Sequence, residues 1–298
     1  MTVRQAEAAD EEDVVAFTAD TWDGSDYIPQ VFADWVDSDG PRQRTLVADL
    51  DGDVVGIVQF SLVSEYEAWA QGMRVDPDHR GGGIGMALNH AGFDWARQRG
   101  ATVARNMVFS WNIMGLGLSR ALGFEPVAEF RYAHPEPNAE ATVEADITAE
   151  PAAAWNFWTT SRAREALAGL SLHSEESWCL AALDRERLQG AADDDRLIVI
   201  QDDGTAGFAY RNRTYEREHD GSERRHAEYG VAAWHAGAAE PVLAAIARDA
   251  ATVGAERTRV LIPETPAAVS DVAAARVEVA EEPDFVMARD LTAPTTRR

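Results

Sequence analysis

The sequence predicts an α/β protein in two similar halves, each a mixed central sheet flanked by helices. Three observations carry that reading. Strand-like and helix-like periodicities alternate along all 298 residues. A break at His134-Pro135-Glu136-Pro137-Asn138 divides the chain near its middle, because prolines two apart forbid a helix and interrupt strand pairing. The order of elements before the break then recurs after it. The expected domains are 1–133 and 143–298, joined by a linker over 134–142.

In the first half, 3–6 is a short strand. Asp10 opens an acidic turn, and apolar residues at helical spacing extend a helix to 22. A Gly/Ser/Pro-bearing loop over 23–29 leads to a short helix, 30–36. Strands at 45–49 and 54–63 flank Asp51-Gly52-Asp53, a strong hairpin signal. A strand at 66–75 runs into a glycine-rich loop, followed by a helix over 85–99. A strand at 102–109, a helix over 113–122 stopping at Gly123 and a strand at 125–132 close the unit.

The second half opens with helices over 151–167 and 174–188. Strands at 196–201, 206–214 and 225–234 follow. A helix over 239–253, a strand at 257–262, a helix over 267–275 and a strand near 285–289 complete it. Gly123 lies 23 residues after Gly100, and Val277 lies 23 after Gly254, so the halves superpose here without a gap. Shared spacing and element order point to an internal duplication.

Composition narrows the function. Asp and Glu number 51 against 27 basic residues, all arginine, for a formal charge of −24. Such a field repels nucleic-acid phosphates and anionic lipid, so neither is expected as a partner. An acidic, lysine-free surface suits a halophilic host, because molar salt shortens the Debye length to ~3 Å and screens self-repulsion. Cys179 is the single cysteine, which excludes an internal disulfide and a cysteine-based zinc site. His219, His226 and His235 lack metal-ligand spacing, and no metal is expected. The acidic first residues lack the basic and apolar regions of a signal peptide, and no apolar run is long enough to span a bilayer. A cytoplasmic protein, monomer or homodimer, is expected.

The chemistry is written in 73–86, Met73-Arg74-Val75-Asp76-Pro77-Asp78-His79-Arg80-Gly81-Gly82-Gly83-Ile84-Gly85-Met86. Glycines between a strand and a helix let successive backbone amides converge on one anion. The helix N-terminus adds unpaired N–H groups and a positive dipole, and Arg80 adds a full charge. This is a pyrophosphate cradle. A Walker loop requires a lysine, and the chain has none. The dinucleotide fingerprint requires another glycine spacing and an acid about 20 residues on.

This stretch resembles the GCN5-related N-acetyltransferases (GNAT), whose acetyl-CoA signature Arg/Gln-x-x-Gly-x-Gly/Ala is matched by Arg80, Gly83 and Gly85. Val75-Asp76-Pro77 is similar to the family's Val-x-Pro lead-in, and Asn112 through Gly123-Phe124 to its later element. The likeness covers about 1–132; the second half resembles the family only in element order. It implies N-acetyl transfer from acetyl-CoA to a small-molecule or peptide amine by direct attack in a ternary complex. The backbone of Met73 and Val75 would hold the pantetheine arm and thioester carbonyl. The amides of Gly81, Gly82, Gly83, Ile84, Gly85 and Met86, with Arg80, would hold the pyrophosphate, and Asn112 would lie near the thiol. Many members carry a tyrosine acid where this chain has Ser119, which leaves water, Tyr132 or no acid at all for the leaving thiolate. The departure also keeps open a non-catalytic acyl-CoA-binding module.

Strand alternation puts Glu67, Trp69, Met73 and Val75 on one nominal face. Glu67 is the expected general base, with Glu65 behind it. Asp23, Asp26 and Tyr27 fall where the family forms its acceptor wall. On the ungapped register Arg80 falls on Trp234, Gly83 on Gly237, Gly85 on Ala239 and Met86 on Glu240, so the second half is expected to lack a working cradle.

Overall fold

The computed structural model describes residues 1–19, 21, 26–176, 178–219 and 222–292, the side chain of His219 excepted. The chain divides into two units, Met1–Glu125 with Met287–Arg298, and Pro126–Val286.

Unit 1 runs β1 (Thr2–Gln5), α1 (Glu11–Thr18), α2 (Ile28–Ser38), β2 (Gln43–Leu50), β3 (Asp53–Leu62), β4 (Glu67–Val75), α3 (Ile84–Arg97), β5 (Val103–Phe109) and α4 (Ile113–Ala121). Its sheet has the order β1-β2-β3-β4-β5. All neighbours are antiparallel except the parallel pair β4–β5. Asp51 and Gly52, both at positive φ, make the β2–β3 turn. One face packs Val14 of α1 and Ile28 and Phe32 of α2 on Val47 and Ile57. On the other face α3 lies so close to β3 that a Cβ at Gly92 would stand 2.1 Å from the Phe60 ring.

Two features shape the cleft of unit 1. Between Gln71 and Arg74, β4 carries one residue more than β3 opposite, a bulge made at Gly72 with φ 66°. The parallel register pairs Glu67, Ala68 and Trp69 with Val103, Ala104 and Arg105 and goes no further, although both strands continue. Beyond Trp69 the two strands part.

Unit 2 opens on β6 (Glu125–His134, from Pro126) and continues β7 (Asp146–Thr148), α5 (Pro151–Thr160), α6 (Arg162–Ala166), β8 (Leu170–Leu172), β9 (Leu180–Ala182), α7 (Arg185–Asp193), β10 (Leu197–Gln201), β11 (Thr205–His219) and β12 (Ser222–Trp234). Then come α8 (Ala239–Thr252), β13 (Arg257–Pro263), α9 (Pro266–Ala274), β14 (Glu278–Val279) and the start of β15 (Asp284–Asp290). Its sheet order is β6-β13-β12-β11-β10-β7, with β8 and β9 a separate hairpin. The pair β12–β13 is parallel and ends at Tyr229–Val260, so this unit too has a strand split. Val242, Leu243 and Ile246 of α8 pack on Ile198, Ala209, Tyr229 and Val260.

Three expectations need revision. The helix expected over 174–188 is replaced by β9 and then α7, because Asp184 accepts the Arg187 amide at 2.8 Å and starts the helix there. The helix over 151–167 is interrupted at Ser161, which is extended and caps α6 by accepting the Arg164 amide. The last strand does not stay with the second half throughout. From Met287 it belongs to unit 1, where β15 neighbours β5, while β6 neighbours β13 in unit 2. The Leu291 amide bonds Thr102 O at 2.8 Å, and Arg97 Nε bonds Leu291 O at 2.8 Å. No described helix is long and apolar enough to cross a membrane.

Candidate active site

The loop after β4 is built by its own side chains. Asp76 accepts the Asp78 amide at 3.1 Å and lies 2.7 Å from His79 Nδ1, so His79 is a turn residue. Burial would raise the Asp76 carboxyl, but the Asp78 amide, His79 and Arg80 hold it below the usual carboxylate range. Gly81 and Gly83 adopt φ 83° and 79°, where an L side chain is strained. A Cβ at either would meet no protein atom within 4 Å, so the space above the loop is open for a ligand. Gly83 is the N-cap of α3 and gives it no side-chain cap, and no acid stands in the first turn of α3. The first amides of α3 therefore have no side-chain cap and stand at the positive end of its dipole. Arg80 stays exposed at the rim, its Nε donating to Val75 O at 3.3 Å.

Beside the cradle, Met73 and Val75 lie on the part of β4 that has no register partner in β5. Asn89 of α3 is buried there, its Nδ2 bonding Gly85 O at 2.9 Å and Met73 Sδ at 3.3 Å. Sequence reading missed this anchor; an asparagine inside an apolar helix face is the signal that marks it. Gly85 packs closely on α4, since a Cβ there would stand 3.1 Å from the end of the Leu118 side chain. Asn112 caps α4 by accepting the Gly115 amide at 2.9 Å. Ser119 is buried and accepts Asn106 Nδ2 at 3.0 Å. No phenol stands at that position.

The expected base is placed elsewhere. Glu67 sits at the closed end of the β4–β5 pair, 2% exposed, and its carboxylate is ion-paired with Arg105. It is a buried cross-strand tie and not an open proton acceptor. Alternation put it on the same nominal face as Met73 and Val75, but the bulge at Gly72 shifts the face between them. Glu65 is exposed in the turn before β4. Asp26 is buried and ion-paired with Arg74, Tyr27 lies edge-on to Trp35, and Asp23 lies outside the described residues. Tyr132 belongs to unit 2, where burial pushes its phenol well up, and it is no accessible acid.

A profile of the acetyltransferase (GNAT) family matches residues 7–124, the stretch that holds the cradle, the split strands and the Asn112 cap. That segment is similar to the GNAT acetyltransferase family. It is similar to streptothricin acetyltransferase of Streptomyces lavendulae, at 36% identity over 97 residues, 30% of this chain and 49% of the relative. The chain thus spans about half the length of that curated relative. In fold the protein is similar to a GCN5-related N-acetyltransferase of Sphaerobacter thermophilus, with TM-score 0.61, 16% identity and 97% and 95% of the two chains covered. It is also similar to a putative acetyltransferase of Thermoplasma acidophilum, with TM-score 0.55, 16% identity and 97% and 100% covered. At such identities the likeness establishes a GNAT-like fold. Among the described residues, no group of three or more His, Cys, Asp or Glu side chains is arranged to hold a metal ion.

The matching loop of unit 2 is different in chemistry. Trp234 Nε1 donates to Asp271 at 2.9 Å, Gly237 has φ 86°, and Glu240 stands in the first turn of α8. The loop borders a cavity of about 390 Å³ whose lining includes Glu144, Asp202 and Asp203.

Proposed function

We propose that unit 1 transfers an acetyl group from acetyl-CoA to an amine. The observation that carries this reading is the loop from Arg80 to Gly85. Two left-handed glycines beneath open space feed an uncapped helix N-terminus beside two parting strands. The amides of Gly81 to Met86, with Arg80, hold the diphosphate of the donor. The pantetheine arm follows the free edge of β4, and backbone amides near Met73 and Val75 stabilise negative charge on the thioester oxygen. The amine nitrogen attacks the thioester carbon, the C–S bond breaks and sulfur leaves as thiolate. With Glu67 engaged by Arg105 and Ser119 by Asn106, water takes the ammonium proton and protonates the thiolate. Asn112 positions the arm near the thiol by holding the start of α4.

The acceptor is a small-molecule or peptide amine. Streptothricin, named by the relative, is the first to try. Unit 2, with Glu240 and Trp234 at its loop, binds no acyl donor in this reading. Free thiol released from acetyl-CoA, followed against a panel of amines, tests the proposal: amine-dependent release supports it. The buried Ser119 favours one second reading, a non-catalytic acyl-CoA-binding protein, for which tight binding without release under any acceptor is the signature.

A further inference from the structure

We propose that Asp26 and Arg74 form a positioning pair that clamps the bulged edge of β4 and so aims the backbone at the thioester. This rests on the acetyl-transfer reading of unit 1. The Asp26 carboxylate is fully buried and takes Arg74 at two points, Nε–Oδ2 at 2.6 Å and Nη2–Oδ1 at 3.2 Å. Its Oδ1 also accepts the Ile28 amide at 3.0 Å, which fixes the carboxylate to the start of α2. Arg74 Nη1 meanwhile donates to Met73 O at 3.1 Å. One guanidinium therefore joins the root of α2 to the peptide beside the bulge.

Neighbouring contacts act at the same place. Gly72 sits under Trp35 of α2, so that a Cβ would stand 2.4 Å from the indole. The Arg74 guanidinium carbon lies 5.6 Å from the centre of the Tyr27 ring. Residues 72, 73 and 74 are thus gripped from α2 and the residues just before it, while the β5 side of the strand carries no register partner.

A bulged strand paired on one edge is soft where acyl transfer needs fixed donors, and a misplacement of about 1 Å costs on the order of 100-fold in rate. Ion pairing also contributes little net stability once the cost of burying both charges is counted. A pair placed at the bulge is well placed to set geometry. Asp26 is consequently not the open acidic wall that an acceptor ammonium would need.

The test uses the full chain and the variants Asp26→Asn, Arg74→Gln and their combination. Each single change strands a buried charge, whereas the double variant sets two neutral amides opposite each other. The measurements are kcat, both KM values and the infrared carbonyl stretch of bound [1-13C]acetyl-CoA. The expected result is a kcat lower by about 10- to 100-fold in each single variant. Both KM values stay close to wild type, the carbonyl stretch returns toward its value in free acetyl-CoA, and the double variant regains much of both losses.

Folded single variants with wild-type kcat and carbonyl stretch overturn the proposal. So does a rise in acceptor KM alone, which would make Asp26 an ammonium contact. If the single variants fail to fold, Arg74→Lys keeps the charge but loses the two-point grip, and an unchanged stretch in it overturns the proposal equally. The infrared arm needs no turnover, so a wild-type protein that shifts the carbonyl but acetylates no amine fails only the catalytic reading. Wild-type protein that binds no acetyl-CoA removes both.

Discussion

Each unit ties its parallel strands together with a buried glutamate and an arginine: Glu67 with Arg105 in unit 1, Glu228 with Arg259 in unit 2. In unit 2 the tie is elaborated. Arg259 lies between the Tyr132 and Trp178 rings, 3.9 and 3.7 Å from their centres, and Glu228 Oε1 also takes Arg213 and Asn212 at 2.9 and 3.0 Å. Above this shared tie the strands part in both units, and there the likeness ends. Unit 1 continues into Arg80, three glycines and a helix start without acids; unit 2 continues into Trp234 bonded to Asp271, one left-handed glycine and Glu240. The difference separates residues that hold the scaffold from those that the proposed function gives to a ligand. In both units the pair lies within the parallel register, with or without a glycine-rich loop beyond it. Converging amides with a nearby arginine are, on the proposed function, the part given to an anion.

The comparison can be broken at the tie first. Glu67→Ala and Glu228→Ala each leave a guanidinium without its buried partner, and each should cost about 3–5 kcal/mol in urea unfolding. A Glu67→Gln protein of wild-type stability but without turnover would return Glu67 to a proton-accepting role and undo the parallel.

The loops come next. Arg80→Ala should weaken CoA binding by about 1.5–3 kcal/mol, the worth of a hydrogen bond to a charged group. Gly83→Val should weaken it further by forcing a β-branched side chain into φ 79° and into the open space. Gly237→Val, the same change in unit 2, should leave CoA affinity as it was. Titration calorimetry on folded variants checks all three.

A smaller effect sharpens the account of unit 2. Burial pushes the Asp284 carboxyl up to about 6, against the pull of Arg259. The folded state therefore holds this proton more tightly than the unfolded chain. The carboxyl's penalty is absent below the unfolded value near 4, grows as pH rises toward 6, and is complete above it. Asp284→Asn should then stabilise the protein by roughly 1–2 kcal/mol at pH 7, after allowance for partial exposure, and leave it unchanged at pH 4. Equal effects at both pH values would contradict this.

Much of the fold was legible because local signals agreed with the outcome. Asp51-Gly52 marked the hairpin, the glycine run marked the start of α3, and Gly123 marked the end of α4 with φ 80°. At the matching end of α9 the left-handed residue is Arg276, φ 57°, one position before the Val277 that the ungapped register assigns. A non-glycine in that conformation leaves no mark in sequence. Long-range facts were not legible either. Nothing near Phe285 announces that the chain rejoins unit 1 at Met287, and 174–188 read as helix because buried Leu180 and Ala181 fit either period. At the site, the glycine turn before α3 was visible because its residues are adjacent in sequence. The partners of Glu67 and Asp26 were hidden because Arg105 and Arg74 are distant in sequence and were 2 of 27 arginines.

On the proposed function a common scaffold carries one working cradle, in unit 1. Isothermal titration of the full chain with acetyl-CoA, in high salt to screen the −24 charge, measures this directly. Screening weakens distant repulsion, but direct hydrogen bonds to phosphate still need donors in place. The expected result is one acetyl-CoA per chain, abolished by Gly83→Val and untouched by Gly237→Val. Two per chain, or one that survives Gly83→Val and is lost with Gly237→Val, would contradict it.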